Sequence, residues 1–188
     1  MSLTYRTFRF ASNFLKHPKL LGSVIPSSSF LVNHLLSLID WNHARVIVEY
    51  GPGVGTFTEE ILRRMHSDAI LVAIELNQEF VEVLEQDIKD PRLRVVHGSA
   101  TDARRLLAEM QLEHADYIIS GIPYSTLPDS IRRQIVAESH DLLHPEGALV
   151  IYQFTSTVRR YLASTFGRVD EDFNLFNILP ARIFYCTP

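Results

Sequence analysis

The sequence predicts an α/β fold in which a mainly parallel sheet carries helices on both faces. Three observations predict it. Short β-branched, apolar stretches alternate with amphipathic helical stretches from residue 45 onward. Those stretches read as strands buried on both faces. The 188 residues, 46% hydrophobic and 21% charged, suit one soluble globular domain with a single substantial core.

Tyr5 to Lys16 has helical periodicity, with Phe8, Phe10, Ala11, Phe14 and Leu15 on one side and Arg6, Arg9, Asn13 and Lys16 on the other. Pro18 ends it. A linking stretch, Leu20 to Pro26, leads to Ser27-Ser28-Ser29, which offers caps for a helix over Phe30 to Leu38. Trp41-Asn42-His43 caps the approach to the first strand, Arg45 to Tyr50. Glycines follow at once. Thr56 and Glu59 have capping-box spacing, so a helix is expected from Phe57 to about His66, with Glu59–Arg63 and Glu60–Arg64 pairs on its solvated face. The alternation continues with strand Ile70–Glu75, helix Gln78–Lys89, strand Leu93–His97, helix Ala103–Met110 and strand Tyr117–Ser120. After a proline-containing loop come helix Asp129–Leu143, strand Ala148–Phe154, helix Ser156–Phe166 and a closing strand, Arg182–Thr187.

Charge is unevenly placed. No Asp or Glu precedes Asp40, whereas Arg6, Arg9, Lys16 and Lys19 lie in the first twenty positions. The net charge of −4 therefore divides into a basic arm of +4 and a body of −8. Such a body repels polyanions, so an anionic partner would meet the N-terminal arm. A cationic amphipathic helix can dock on its own domain or lie at a bilayer interface; an organellar transit segment is a competing reading. The single cysteine, Cys186, excludes an internal disulfide, reads as a small core residue and fits a reducing cytoplasm. No apolar run approaches the roughly 18 residues of a bilayer span. The eight histidines form no ligand pattern, so no metal is expected, and there is no G-x-S-x-G elbow.

The sharpest chemical signal is Glu49-Tyr50-Gly51-Pro52-Gly53-Val54-Gly55 on the first strand-to-helix turn, where glycines let backbone approach a ligand closely. A Walker loop would need Gly-Lys-Ser/Thr, and a dinucleotide fingerprint would need glycine where Thr56 stands. The remaining pattern, E-x-G-x-G-x-G, resembles motif I of class I S-adenosyl-L-methionine (SAM)-dependent methyltransferases. The resemblance implies a Rossmann-like, seven-stranded, mostly parallel sheet with an antiparallel last strand. It also implies that Gly51, Gly53 and Gly55 pack against the methionine part of SAM and that Glu49 holds the loop or the cofactor's ammonium. Glu75, about 20 residues past Gly55 at a strand end, is placed to accept bonds from ribose hydroxyls, with Leu76 beside it, although a helix-capping or surface role would also suit an acid there. Ala100 and Asp102 are expected at the adenine, Asp102 being alternatively a helix N-cap.

Ser120-Gly121-Ile122-Pro123-Tyr124 follows the fourth strand, where the family places its methyl acceptor. It resembles the Asn-x-Pro-Tyr motif of adenine-N6 methyltransferases, with Gly121 in the Asn position. Glycine removes the side chain that would orient a planar amino group. Ser120 and Gly121 then offer backbone carbonyls to an amine and Tyr124 an aromatic face, unless Tyr124 is simply a buried turn residue. Gly-Ile-Pro here, the leader Phe14 to Ser28 and Leu179-Pro180-Ala181-Arg182 resemble bacterial phospholipid N-methyltransferases, and more distantly the rRNA adenine-N6 dimethyltransferases. That resemblance implies residues 1–39 as a basic helix and cofactor-covering segment and 40–188 as the SAM-dependent domain. It implies methyl transfer to phosphatidylethanolamine at the inner face of a membrane, with S-adenosyl-L-homocysteine as product. Adenine methylation of rRNA or DNA is the alternative, disfavoured by the acidic body and Gly121. A non-catalytic, membrane-associated SAM-binding protein is the alternative of another class.

Overall fold

The computed structural model describes residues 29–174 and 181–188. The expected Tyr5–Lys16 helix, the leader to Ser28 and Leu179-Pro180 lie outside the described residues. The chain runs α1 (Ser29–Leu36), β1 (Val46–Tyr50), α2 (Thr56–Arg64), β2 (Ile70–Glu75), α3 (Gln78–Asp87), β3 (Leu93–His97), α4 (Ala103–Glu109), β4 (Ala115–Ser120), α5 (Asp129–Leu142), β5 (Leu143–Gln153), α6 (Arg159–Thr165), β6 (Arg168–Asn174) and β7 (Ala181–Thr187). Short 3-10 turns occupy Ala100–Asp102 and Tyr124–Thr126.

The strands form one sheet in the order β3-β2-β1-β4-β5-β7-β6. β1 pairs in parallel with β2 and β4, and β7 runs antiparallel to both β5 and β6. Among the described strands only β7 is therefore reversed. Because β1 and β2 are shielded on both faces, their successive side chains are buried almost without interruption. Alternate residues supply two cores. Val48, Tyr50, Val72, Ile74, Ile118 and Ile151 pack with Leu107, Val136 and Leu162 of α4 to α6. Ile47, Leu71, Ile119, Val150 and Ile183 pack with Leu31 and Leu35 of α1 and Phe57 and Ile61 of α2. Cys186 lies wholly inside the first core.

The chain grows outward from β1 to β3 and then returns to β4 on the other side of β1. The β1/β4 boundary is thus the topological switch point, beyond which such sheets bind ligands. In register, Tyr50 sits opposite Ile74 and Ser120, so the carboxyl ends of β1, β2 and β4 open at one level. At the opposite end, the Asp116 carboxylate accepts from the N–H groups of Arg45 and Val46, each at 2.8 Å, fixing where β1 begins against β4.

Three local expectations need correction. The N-cap of α2 is Gly55, in the left-handed region and with no side-chain cap, so Thr56 is already helical and no capping box forms. β5 starts at Leu143, directly after α5, and a register shift against β4 takes up the residues before Ala148. Finally, Arg168–Asn174 is a strand that no apolar pattern announced. Its acidic residues are poor strand formers, but as an edge strand it pairs only with β7, and Glu171 is matched by Arg159 and Arg182.

Candidate active site at the carboxyl ends of β1, β2 and β4

The glycine loop is built from backbone that other residues would resist. Gly51, Gly53 and Gly55 all have positive φ. Gly55 turns the chain into α2, its N–H bonded to the Pro52 carbonyl and its own carbonyl accepting from Glu59 N–H. A Cβ on Gly55 would lie 2.9 Å from the terminal methyls of Leu84 and Ile88, which would have to shift, and the φ of +87° would strain any other residue there. Among the described residues, a Cβ on Gly53 would meet nothing within 4 Å. The loop therefore presents Gly53 at the sheet's carboxyl end, away from every other described element.

Two buried carboxyl groups flank that loop, one bonded to the loop itself and one to the helix after it. Glu49, only 3% exposed, accepts a 2.7 Å hydrogen bond from the Thr58 hydroxyl. Burial pushes its pKa up to about 8, helped by the neighbouring Glu75 and opposed by the Thr58 bond. Glu75 accepts from Gly53 N–H at 3.1 Å and from Asn77 N–H at 2.9 Å. Its carboxyl is also held above the ordinary range by burial, against those two bonds. Asn77, not Glu75, caps α3 through Glu79 N–H. Beyond Glu75 the apolar side chain of Leu76 is 71% exposed. Ala100 is buried at the head of its 3-10 turn. Asp102 makes no side-chain cap bond and stands half-exposed, 4.0 Å from Arg105, so the capping alternative is not realised.

This arrangement suits SAM by its donor set. No described residue would meet a Cβ on Gly53, an acid stands at the ribose-side strand end, and an exposed apolar face adjoins it. Among the described residues no three His, Cys, Asp or Glu side chains gather as metal ligands, and no described helix is long and apolar enough to cross a membrane.

The acceptor-side turn lies directly alongside. Gly121 N–H donates to the Tyr50 carbonyl at 2.9 Å, joining the turn to the end of β1. The Tyr124 ring is wholly buried among core side chains, with the Ser120 hydroxyl donating to its hydroxyl at 3.3 Å. It lies beneath the turn instead of offering a ring face from it, because the 3-10 turn after Pro123 directs it inward. Three residues that sequence reasoning overlooked hold this turn. Arg132 Nε donates to the Tyr124 carbonyl at 2.8 Å. Gln153 Nε2 donates to the Ile122 carbonyl at 2.6 Å. Tyr152 reaches Gly121 from β5. A polar Gln ending the apolar run Ala148–Tyr152 was the one available signal; Thr58 and Arg132 read as ordinary helix residues.

Fold and site together define a class I SAM-dependent methyltransferase. The family model described as ribosomal RNA adenine dimethylase matches residues 5–168, and the chain belongs to that family. It is 29% identical over 181 residues to an ornithine lipid N-methyltransferase from Singulisphaera acidiphila, covering 95% of this chain and 94% of that protein. It is 27% identical over 185 residues to a ribosomal RNA small subunit methyltransferase A from Dehalococcoides mccartyi, covering 93% of this chain but only 60% of that protein. Among solved structures, a precorrin-6y C5,15-methyltransferase from Geobacter metallireducens matches with a TM-score of 0.66 at 16% identity, over 83% of this chain and 85% of that one. Human methyltransferase-like protein 13 in complex with SAH matches with 0.62 at 15% identity, over 83% and 79%. Both share the fold.

Proposed function

We propose that this methyltransferase transfers methyl groups to the amine of a membrane lipid. The observation that carries the reading is at Gly121. The place where a base-orienting side chain would stand is already approached by another one: a Cβ there would lie 2.8 Å from the Tyr152 hydroxyl, which would have to move aside, and 3.3 Å from the Gly51 carbonyl oxygen. An end-to-end relative named as an ornithine lipid N-methyltransferase supports it. Phosphatidylethanolamine and an ornithine lipid both present a primary aliphatic amine, which needs no planar clamp.

Charge around the acceptor side supports a lipid surface. Arg132, Arg133, Arg159 and Arg160 lie in the first turns of α5 and α6, and Arg182 lies opposite Gln153 at the end of β5. Asp129 and Glu171 pair with four of the five. The group thus remains basic on an otherwise acidic body. The N-terminal arm would add cationic charge at an anionic, inner membrane face, at about 1 kcal/mol per basic residue near the surface.

Residues 51 to 55 would hold the methionine part of SAM, Glu49 its ammonium, Glu75 the ribose, and Leu76, Ala100 and Asp102 the adenine. When bound, SAM supplies an activated methyl on a sulfonium, so attack by nitrogen forms N–C as C–S breaks, with the electron pair left on sulfur and a proton lost to water. The chain itself contributes position. Ser120 and Tyr124, bonded beneath the turn, act as positioning residues, and the backbone carbonyls of Ser120 and Gly121 help to orient the amine hydrogens.

Membership in the ribosomal RNA adenine dimethylase family favours a second reading, methylation of adenine N6 in rRNA. Labelled SAM offered with vesicles of phosphatidylethanolamine or ornithine lipid, and with deproteinised rRNA in parallel, separates the two. Label in the lipid phase is the expected result. Label in RNA alone overturns the lipid reading, and SAM binding without transfer to any of the three would mark a non-catalytic binder.

A further inference from the structure

The side chain missing at position 121 is replaced from another strand. Gly121 lies one residue past β4, and Tyr152 lies in β5, whose preceding residue, Ile151, pairs with Ser120. A Cβ on Gly121 would fall 2.8 Å from the Tyr152 hydroxyl oxygen, 3.3 Å from its Cζ and 3.3 Å from the Gly51 carbonyl oxygen. The phenol tip thus stands beside the acceptor turn, at the point that the Gly51 carbonyl of the cofactor loop also approaches.

Tyr152 is held rigidly in that position. Its ring stacks on Phe57, 4.9 Å between centroids and 20° between planes, and Phe57 sits in the first turn of the helix that the glycine loop starts. Its backbone pairs with Ile183 of β7. Its carbonyl accepts from Gln153 Nε2 at 2.7 Å, and the same nitrogen holds the Ile122 carbonyl. One strand end therefore fixes both the phenol and the turn it touches. A ring locked by packing loses little further freedom when its hydroxyl takes up a ligand, as orientation of a reacting group requires.

We propose that the Tyr152 hydroxyl orients the acceptor amine, supplying from β5 the polar group that the Gly121 position lacks. This rests on the reading that the acceptor is an amine brought to the Ser120–Tyr124 turn. The phenol oxygen accepts a hydrogen bond from the amine N–H and turns the nitrogen lone pair toward the methyl position. The ring fills the volume beside Gly121, so the site admits a narrow alkylamine and excludes a planar base held by a residue-121 side chain.

The test uses the full chain and two readouts. Tyr152→Phe keeps the stack on Phe57, so its melting temperature and SAM affinity by calorimetry should match the parent. Its kcat on ornithine lipid or phosphatidylethanolamine vesicles should fall tenfold or more, since one well-placed hydrogen bond is lost from the transition state. The second readout needs no acceptor. Gly121→Ala should lower the melting temperature in the parent but much less when combined with Tyr152→Ala, a coupling that a double-mutant cycle isolates. The acceptor on which the parent is active decides the lipid reading separately, and Tyr152→Phe is then compared on that acceptor. Unchanged kcat for Tyr152→Phe, or additive effects of Gly121→Ala and Tyr152→Ala, overturns the assignment.

Discussion

The Glu75 carboxylate accepts a hydrogen bond from Gly53 N–H at 3.1 Å, tying the end of β2 to the middle of the glycine loop 22 residues earlier. One buried acid thereby shapes the loop while its exposed neighbour, Leu76, lines the same side. Replacing it with Ala should weaken SAM binding about 10- to 100-fold, the range for hydrogen bonds to a charged group. Gln, which keeps one acceptor oxygen, should fall between Ala and the parent. Titration calorimetry checks both, and unchanged affinity for the Ala variant would remove Glu75 from the site.

Gly53 and Gly55 share a left-handed backbone but differ in surroundings, and their Ala variants should separate accordingly. Gly55→Ala adds strain and drives a methyl against Leu84 and Ile88. At about 1–2 kcal/mol for the backbone and about 1–3 kcal/mol for overpacking, the melting temperature should drop by roughly 4–20 °C. Gly53→Ala carries the backbone strain alone, about 2–8 °C, but its methyl points where no described side chain lies. Its chief effect should be a SAM affinity lowered tenfold or more. Similar profiles for the two variants would contradict this division.

Glu49 makes stability fall with pH. Its folded pKa of about 8 lies above the ordinary value of 4.5. Below pH 4.5 both folded and unfolded chains keep the proton and the contribution is complete. Between 4.5 and 8 the unfolded chain ionises first, and stability is lost as pH rises, by up to about 1.4 kcal/mol per unit. Glu49→Gln, neutral throughout, should therefore gain on the parent from pH 5 to 8 and stay level above. Melting curves without SAM test this; parallel curves for the two proteins would refute it. If Glu49 meets the cofactor's ammonium, SAM binding at pH 7 releases a proton, read as calorimetric enthalpies that differ between buffers of different ionisation heat.

The arginine rim should act on the acceptor surface and not on the fold. Arg133, Arg159 and Arg160 have side chains more than 60% exposed, and exposed ion pairs contribute about 0–1 kcal/mol each. Their combined replacement by Ala should shift the melting temperature by only a few degrees yet reduce methylation of lipid in anionic vesicles, with the deficit shrinking as salt rises. An equal deficit on neutral detergent micelles would argue against a membrane-facing role.

The sequence by itself determined the fold class, the cofactor loop and most element positions. Periodicity of two in the strands and 3.6 in the helices is a local consequence of backbone geometry, and glycine's access to positive φ belongs to the residue alone, so RVIVEY followed by Gly51, Gly53 and Gly55 declares both. The Gly121 substitution was equally legible as a missing side chain. Tertiary structure decided what fills its place: Tyr152 and Gln153 reach the turn from a strand some thirty residues later, through a pairing that no spacing encodes. It also turned Tyr124 inward and made a strand of Arg168–Asn174, whose acidic residues are tolerated only because they sit at a sheet edge beside Arg159 and Arg182. Side-chain contacts across a sheet depend on register between distant segments, and register is set by the whole core at once.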